Sequence, residues 1–345
     1  MREKINIGVI GAGSKRYKNV YRSILKKIEH VNVFCWNRTK NKLVNSFEKE
    51  TIVSDIKEFC QKSLDIVICF LPSNANYDFI NSIDLKLNKV LLIETPVLDT
   101  RWLDFKKFNV GVLEQWPYLP VELFKHEVYK SGIISLPHQI INDGRSFDYH
   151  AIAQMRSFCQ NSMPDSAMGM VKTIESPPYI DLRGKKQNTL EEWTYGMSNL
   201  KNGVSLIHMF SYDCKLSVLK PVQLMRHCSV DGSIISGRVE EMENDYNFFK
   251  VTYLINNIPH IKSVDRITNT DNRKITEKII CKDIDVEWSN KFAIFGLNDH
   301  ETAIAYMLYD ADNLIFRKPL QSYVDSLIIH GFKMSAIQKQ VINFN

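Results

Sequence analysis

The sequence predicts an α/β protein with an N-terminal Rossmann-type parallel sheet and antiparallel strands in its C-terminal part. Three patterns carry this prediction. The chain opens with the apolar run INIGVI, which leads into a glycine-rich turn. Near-continuous apolar runs then alternate with helical patterns as far as residue 114, as expected for buried parallel strands joined by helices. Beyond residue 230, polar and apolar residues alternate, which is typical of antiparallel strands.

The glycine-rich turn has the form of a dinucleotide-binding fingerprint. Gly11 permits a tight turn, and Gly13 lets the backbone approach a pyrophosphate that faces the N–H groups of the next helix. Arg16 occupies the third glycine position of the fingerprint, so we expect the first helix to pack differently on the sheet. The predicted cofactor-binding residues here are Gly11, Ala12, Gly13, Ser14, Lys15 and Arg16.

Four further apolar runs predict the other strands of the parallel sheet. They are VNVFCW at 31–36, LDIVICFL at 64–71, KVLLIE at 89–94 and NVGVLE at 109–114. Ligands bind outside the carboxyl ends of such strands. We therefore add the residues at these ends to the predicted cofactor site: Leu71, Pro72, Asn74, Glu94 and Pro96.

The end of the second strand indicates which nicotinamide cofactor is bound. NAD sites usually carry Asp or Glu here, but this chain has Asn37, followed by Arg38, Thr39 and Lys42. An asparagine does not repel a 2′-phosphate, and the Arg38 guanidinium can pair with one. These residues predict NADP, with NAD as the less favoured cofactor. The alternative interpretation is an ordinary solvated corner between strand and helix.

Composition excludes several classes of function. A chain of 345 residues favours two domains, and the 44 Lys and Arg against 39 Asp and Glu form no basic block for nucleic acid. The seven cysteines form no CxxC pair, so we expect no metal site, no disulfide framework and a cytoplasmic location. We predict no signal peptide and no membrane span.

Four segments, taken in order, resemble the Gfo/Idh/MocA family of NAD(P)-dependent oxidoreductases. They are INIGVIGAG, DIVICFLPSNANYDFI, LNKVLLIETPV and VGVLEQWPYLPVELFKHEVYKSGIIS. The resemblance implies a Rossmann domain at 1–117 and a substrate-binding and oligomerisation domain at 118–345, with an open, mostly antiparallel sheet. It implies a homodimer or homotetramer that acts on a small molecule. The stretch 319–340 resembles the closing helix of the family and is a candidate for packing back on the Rossmann domain.

One departure from the family concerns the chemistry. The family carries Glu-Lys-Pro after the fifth strand, whereas this chain has Glu94-Thr95-Pro96, and threonine has no pKa suited to proton transfer. Thr95 can still hydrogen-bond a substrate. The family places a catalytic histidine on a helix, in a pattern like Asp-x-Gly-x-His. We match it to His208 in the segment 203–216, which predicts a helix with His208 and Tyr212 on one face, although the acid of the pattern is missing.

The remaining candidates lie between the two predicted domains and in a predicted helix that begins near residue 150. Tyr149 is a further candidate proton donor, and Trp116, His150 and Arg156 are candidate substrate ligands. For each there is a plainer alternative. His208 can be a satisfied core histidine, Trp116 an anchor between domains, and Arg156 one half of a salt bridge.

The sequence thus favours an NADP-dependent oxidoreductase acting on a sugar, a nucleotide-linked sugar or a biosynthetic intermediate. Without the family lysine, reduction of an imine or a conjugated C=C bond is the first alternative. A non-catalytic NADP-binding sensor is the second.

Overall fold

The computed structural model describes residues 4–39, 47–146, 148–175, 178, 190–211, 222–239, 246–271, 274–309 and 318–344. The chain divides into two compact units. The first comprises Met1–Leu119 and Lys291–Tyr323, and the second comprises Pro120–Asn290 and Val324–Asn345. The predicted division after residue 117 therefore lies close to the first change of unit. It did not include the return of 291–323 to the first unit, where the helix Asp299–Tyr309 packs against earlier elements.

The strands are, in chain order, β1 Ile5–Ile10, β2 Val31–Trp36, β3 Glu50–Val53, β4 Leu64–Cys69, β5 Leu87–Ile93, β6 Val110–Val112, β7 Gln139–Asp143, β8 Pro164–Glu175, β9 Leu190–Leu200, β10 Ser205–Ser211, β11 Val222–Cys228, β12 Gly232–Val239, β13 Tyr246–Ile255, β14 Ile258–Ser263, β15 Asp265–Asp271, β16 Lys274–Cys281, β17 Val286–Ser289 and β18 Ile342–Asn343. The α-helices are α1 Arg22–Lys27, α2 Ile56–Gln61, α3 Ser73–Ser82, α4 Pro120–Lys130, α5 Asp148–Ser157, α6 Asp299–Tyr309 and α7 Pro319–Gln338.

The first unit contains the predicted Rossmann-type sheet. Its six strands are all parallel and follow the order β3-β2-β1-β4-β5-β6. The predicted strands are confirmed with small shifts at their ends, and β2 matches its predicted bounds. The prediction missed β3, whose burial pattern leaves its two middle residues exposed. A strand at the sheet edge needs no continuous apolar run, so its pattern is weaker.

The first helix of this unit opens with a π-helical turn, Tyr17–Tyr21, that continues into α1. Both tyrosines are buried. The Tyr17 hydroxyl donates to Glu50 over 2.6 Å, and the Tyr21 ring meets Phe70 edge-on at 4.9 Å between centroids. Two large aromatic rings therefore lie between the first helix and the sheet. The third glycine of the fingerprint normally lets helix and strand pack closely, and this chain lacks that glycine.

The second unit contains a nine-stranded sheet in the order β14-β13-β12-β11-β7-β10-β9-β8-β18. Only the pair β7 and β10 is parallel among its described pairings, so the predicted mostly antiparallel sheet is confirmed. Strands β15, β16 and β17 form a separate antiparallel sheet. The predicted closing helix is confirmed as α7, whose Val324, Ile328 and Phe332 are part of the core of this unit.

The helix predicted over 203–216 is wrong, because its described part is strand β10. Leu206, His208 and Phe210 are buried, whereas the alternate residues Ile207 and Met209 are half-buried. Because both faces of the strand are largely apolar, the period-two alternation is hidden, and the four-residue spacing of polar groups suggested a helix instead. No helix among the described residues has both the length and the apolar composition that a membrane crossing requires.

Candidate dinucleotide-binding site

The carboxyl edge of the parallel sheet gathers most of the predicted cofactor residues. Segment 11–16 follows β1, 37–39 follows β2, 71–74 follows β4 and 94–96 follows β5. The chain reverses its strand order between β1 and β4, and ligands of such sheets bind in the crevice at that point. Lys42, the remaining predicted residue, lies outside the described residues.

The glycine turn has the backbone conformation that the fingerprint requires. Gly11 has φ +79°, and a Cβ added there would lie 3.1 Å from the backbone carbonyl of Phe70. The N–H groups of Gly11 and Ala12 both donate to the Trp36 carbonyl, at 3.0 and 3.3 Å. The Ser14 hydroxyl accepts from the N–H of Tyr17 at 3.1 Å and caps the first helix. This narrow, side-chain-free turn beside two cations, Lys15 and Arg16, fits a dinucleotide.

Asn37, at the end of β2, is hydrogen-bonded to the glycine turn. Its Oδ1 accepts from the Gly13 N–H at 3.2 Å, and its Nδ2 donates to the Thr39 carbonyl at 2.7 Å. The Gly13 amide therefore has a side-chain acceptor in this structure. An aspartate could accept from Gly13 in the same way, but it could not donate to Thr39. The hydrogen bonds of Asn37 thus explain an asparagine at this position even without a 2′-phosphate. The neighbouring residues Arg38 and Thr39 are exposed.

Arg16 spans the crevice. Its Nε lies 3.1 Å from Glu94 Oε1, and its Nη2 donates to Gln115 Oε1 at 3.5 Å. The guanidinium carbon lies 5.9 Å from the centroid of the Tyr21 ring. The side chain that replaces the third glycine therefore joins the end of β1 to the residues that follow β5 and β6. Sequence spacing alone could not indicate this ion pair, because its two residues are far apart along the chain.

Thr95 and Pro96 are joined by a cis peptide bond, directly after Glu94. The Thr95 hydroxyl donates to the Leu113 carbonyl at 3.4 Å. That bond orients the hydroxyl, but a threonine hydroxyl has no ionisation that could replace the missing lysine.

Trp116 begins a short 3₁₀ helix, Trp116–Tyr118, and is 9% exposed. Its backbone N–H donates to the buried Glu114 carboxylate at 3.3 Å, and its ring centroid lies 5.0 Å from that of His300. His300 is an exposed titratable group near the crevice residues that the sequence analysis missed. It lies in α6, and no local pattern in the sequence predicts that α6 belongs to the first unit.

His208 is a core histidine rather than an accessible proton donor. It is fully buried in β10, and its Nδ1 lies 3.1 Å from Asn142 Nδ2. Burial lowers the pKa of His208 to about 4, so the ring is neutral at physiological pH. The Asn142 amide also donates to the Ser146 carbonyl and accepts from the Ser146 N–H, at 2.9 and 3.0 Å. His208 and Asn142 thus hold the turn that leads into α5. Tyr212 lies outside the described residues.

His150, a predicted substrate ligand, lies at the start of a helix, where the structure does not place His208. It lies in the first turn of α5 and is 6% exposed. Asp148, two residues earlier, has φ +45°, which is the backbone conformation that glycine adopts most easily. The pattern Asp-x-Gly-x-His has its glycine at that place. Tyr149 packs against His150 with ring centroids 4.1 Å apart and also borders the apolar core.

The prediction that Arg156 binds a substrate anion is wrong, because its charged group is enclosed by the protein. Arg156 is fully buried and forms an ion pair with Asp325 of α7. Its Nε and Nη2 donate to the carbonyls of Ser162 and Asn161 at 3.1 and 2.8 Å. The alternative interpretation, a salt bridge within the second domain, is the correct one.

The fold and the crevice together define a protein with a Rossmann-type unit. The chain is similar in structure to the transcriptional regulator Gal80p from Kluyveromyces lactis, with a TM-score of 0.66 and 11% identity over 99% of this chain and 94% of that one. An NAD binding oxidoreductase from Klebsiella pneumoniae gives 0.61 and 11% over 99% of both chains. A myo-inositol 2-dehydrogenase from Lactobacillus plantarum gives 0.53 and 13% over 99% of this chain and 100% of that one.

At these identities the similarity shows the fold alone. It confirms, at the level of the fold, the resemblance to Gfo/Idh/MocA-type oxidoreductases. No family model and no curated protein sequence matches the chain.

Proposed function

We propose that this protein is an NADP-dependent oxidoreductase that transfers a hydride between the nicotinamide and a small polar metabolite. The observation that carries the proposal is the crevice between β1 and β4, with the Gly11 turn on one side and Glu94 across from it. Sugars, nucleotide-linked sugars and biosynthetic intermediates are the substrate classes that the family resemblance favours. The fold shared with an NAD binding oxidoreductase and a myo-inositol 2-dehydrogenase supports the reaction class. We place the protein in the cytoplasm.

The residues of the chain have separate tasks in this proposal. When bound, NADPH supplies the hydride. The Gly11 turn and the cations beside it hold its phosphates, and Glu94 accepts hydrogen bonds from ribose hydroxyls. The Thr95 hydroxyl forms a hydrogen bond that orients the substrate, but it does not transfer a proton. We assign the proton donor to His150, because it retains 6% exposure whereas His208 is fully enclosed, and Thr95 cannot ionise.

The reaction is tested by NADPH oxidation with a panel of keto-sugars and imines. We expect turnover with at least one class, and we expect His150→Asn to lower it about 100-fold while NADPH affinity stays within twofold. His126→Asn is the control, because His126 is stacked on Phe158 in the second unit and has no role in the proposal. Unchanged turnover of the His150 variant would remove His150 as the proton donor.

Preference for NADP is supported by the exposed Arg38 beside a neutral Asn37. We expect Arg38→Ala to weaken NADPH binding about tenfold and NADH binding less than twofold, because only NADPH carries the 2′-phosphate. Titration calorimetry measures both dissociation constants. Lys26→Ala removes one exposed charge from the end of α1 and serves as the control. Equal losses for both cofactors would assign Arg38 to the adenine or to the solvent instead.

A non-catalytic NADP-binding sensor is the second candidate. Thr95 in place of the family lysine favours it, and the similarity to a transcriptional regulator is compatible with it. Micromolar or tighter NADPH binding, without oxidation of NADPH by any compound of a broad metabolite panel, would decide for the sensor. Turnover confined to flat imines or conjugated alkenes would instead decide for the C=N or C=C reductase.

The small-molecule substrate and the homo-oligomer remain proposals, and we propose neither a nucleic acid nor a membrane as a partner. The open face of the nine-stranded sheet supports self-association. Met168 and Met170 of β8 are 50% and 53% exposed on that face. Their cross-strand partners Met197 and Tyr195 line the same shallow cavity of about 330 Å³. Exposed apolar patches of this kind mark interaction surfaces.

A further inference from the structure

The Arg16 guanidinium occupies the path that a dinucleotide takes across the sheet. We propose that Arg16 exchanges its ion pair with Glu94 for the pyrophosphate of the cofactor, so that phosphate binding releases Glu94 for the ribose. This inference rests on the proposed function, since it assumes that a dinucleotide binds in the crevice.

Strand order places Arg16 on this path. Strand β4 lies between β1 and β5, and neighbouring strands are about 4.8 Å apart. To reach Glu94 at the end of β5, the side chain that starts after β1 must pass over the end of β4. The switch point of the sheet lies between β1 and β4, and the phosphates of a dinucleotide bind there. The guanidinium and the phosphates therefore meet.

The ion pair is weak enough to be exchanged. The Arg16 side chain is 38% exposed and that of Glu94 is 21% exposed, although Arg16 Nε itself is buried, and ion pairs at partly exposed positions contribute little to stability. A pyrophosphate offers more negative charge than one carboxylate, and it accepts two parallel N–H bonds from a guanidinium. Gln115 and the Tyr21 ring keep the guanidinium at the crevice while its partner changes.

Exchange has a consequence for Glu94. While Glu94 is paired with Arg16, its Oε1 lies 3.1 Å from the guanidinium Nε. Once Arg16 turns to the pyrophosphate, the carboxylate oxygen that faced Arg16 can accept from a ribose hydroxyl. Arg16 is thus a positioning residue for Glu94 as well as a phosphate ligand.

The test uses ADP, which carries the pyrophosphate but no nicotinamide ribose. Calorimetry measures ADP and NADPH binding by the full chain and by Arg16→Ala, Glu94→Gln and the double variant. We expect Arg16→Ala to weaken ADP binding about tenfold. We expect Glu94→Gln to strengthen ADP binding about two- to fivefold, because the variant removes a carboxylate that competes with the phosphates for Arg16. Lys18→Ala, which removes an exposed charge one residue into the π-helical turn, should leave ADP binding unchanged.

The double variant separates exchange from simple repulsion. If Glu94 acts through Arg16, Glu94→Gln has no effect on ADP binding in the Arg16→Ala background. If Glu94 only repels phosphate, the same gain appears in both backgrounds, and the exchange is overturned. Unchanged or tighter ADP binding by Arg16→Ala also overturns it while the proposed function survives. Failure of the wild-type chain to bind either ADP or NADPH overturns both proposals. Equal thermal midpoints of the variants show that each is folded.

Discussion

Asp325→Ala should lower the free energy of unfolding by about 3–5 kcal/mol, which is the largest effect expected of a single substitution in the second unit. The carboxylate is the ionic partner of Arg156, and both residues are almost fully buried. Its removal leaves an enclosed guanidinium that has lost its carboxylate partner, while its bonds to the backbone carbonyls of Asn161 and Ser162 remain. Urea denaturation followed by circular dichroism measures the loss.

Three further variants test whether this loss of stability is specific to the buried charge. Asp325→Asn keeps the size of the side chain and should lose less than alanine does. The double variant Arg156→Met, Asp325→Leu should recover most of the loss, since an apolar pair of similar volume avoids burying charge. Asp78→Ala breaks an exposed pair with Arg101 and should cost less than 1 kcal/mol. Equal losses for Asp78→Ala and Asp325→Ala would contradict the structural role of the buried pair.

The second large effect is expected at the glycine turn. Gly11→Ala should weaken NADPH binding at least tenfold and cost about 2 kcal/mol of stability. Gly11 has φ +79°, and the added Cβ would lie 3.1 Å from the carbonyl carbon and oxygen of Phe70. That contact pushes the turn away from β4 and disturbs the bonds of Gly11 and Ala12 to the Trp36 carbonyl. Calorimetric NADPH titration and thermal unfolding measure the two effects.

Gly132→Ala is the matched control for backbone strain. Gly132 has a similar φ of +73°, but a Cβ added there meets no atom within 4 Å. It should lose stability through strain alone and bind NADPH as the wild-type chain does. If Gly11→Ala binds NADPH with unchanged affinity, the turn is not part of the nucleotide site.

Part of the site could be predicted because its residues follow strands that the sequence marks clearly. Parallel strands are covered on both faces, so they appear as continuous apolar runs, and their carboxyl ends must share one edge. Asn37 and Glu94 could be placed on that edge from these runs alone. The secondary structure of the second unit is harder to predict from the sequence. Strand β10 was mistaken for a helix because both of its faces are apolar, and His208 was misplaced with it.

The sequence by itself determined the Rossmann-type sheet, the glycine turn and the helix that carries His150, because local periodicity and backbone freedom encode each of them. Only the tertiary structure decided which charges meet: Arg16 with Glu94 across the crevice, and Arg156 with Asp325 inside the second unit. An ion pair depends on distances in space between residues far apart in the chain, and no pattern of neighbouring residues records those distances.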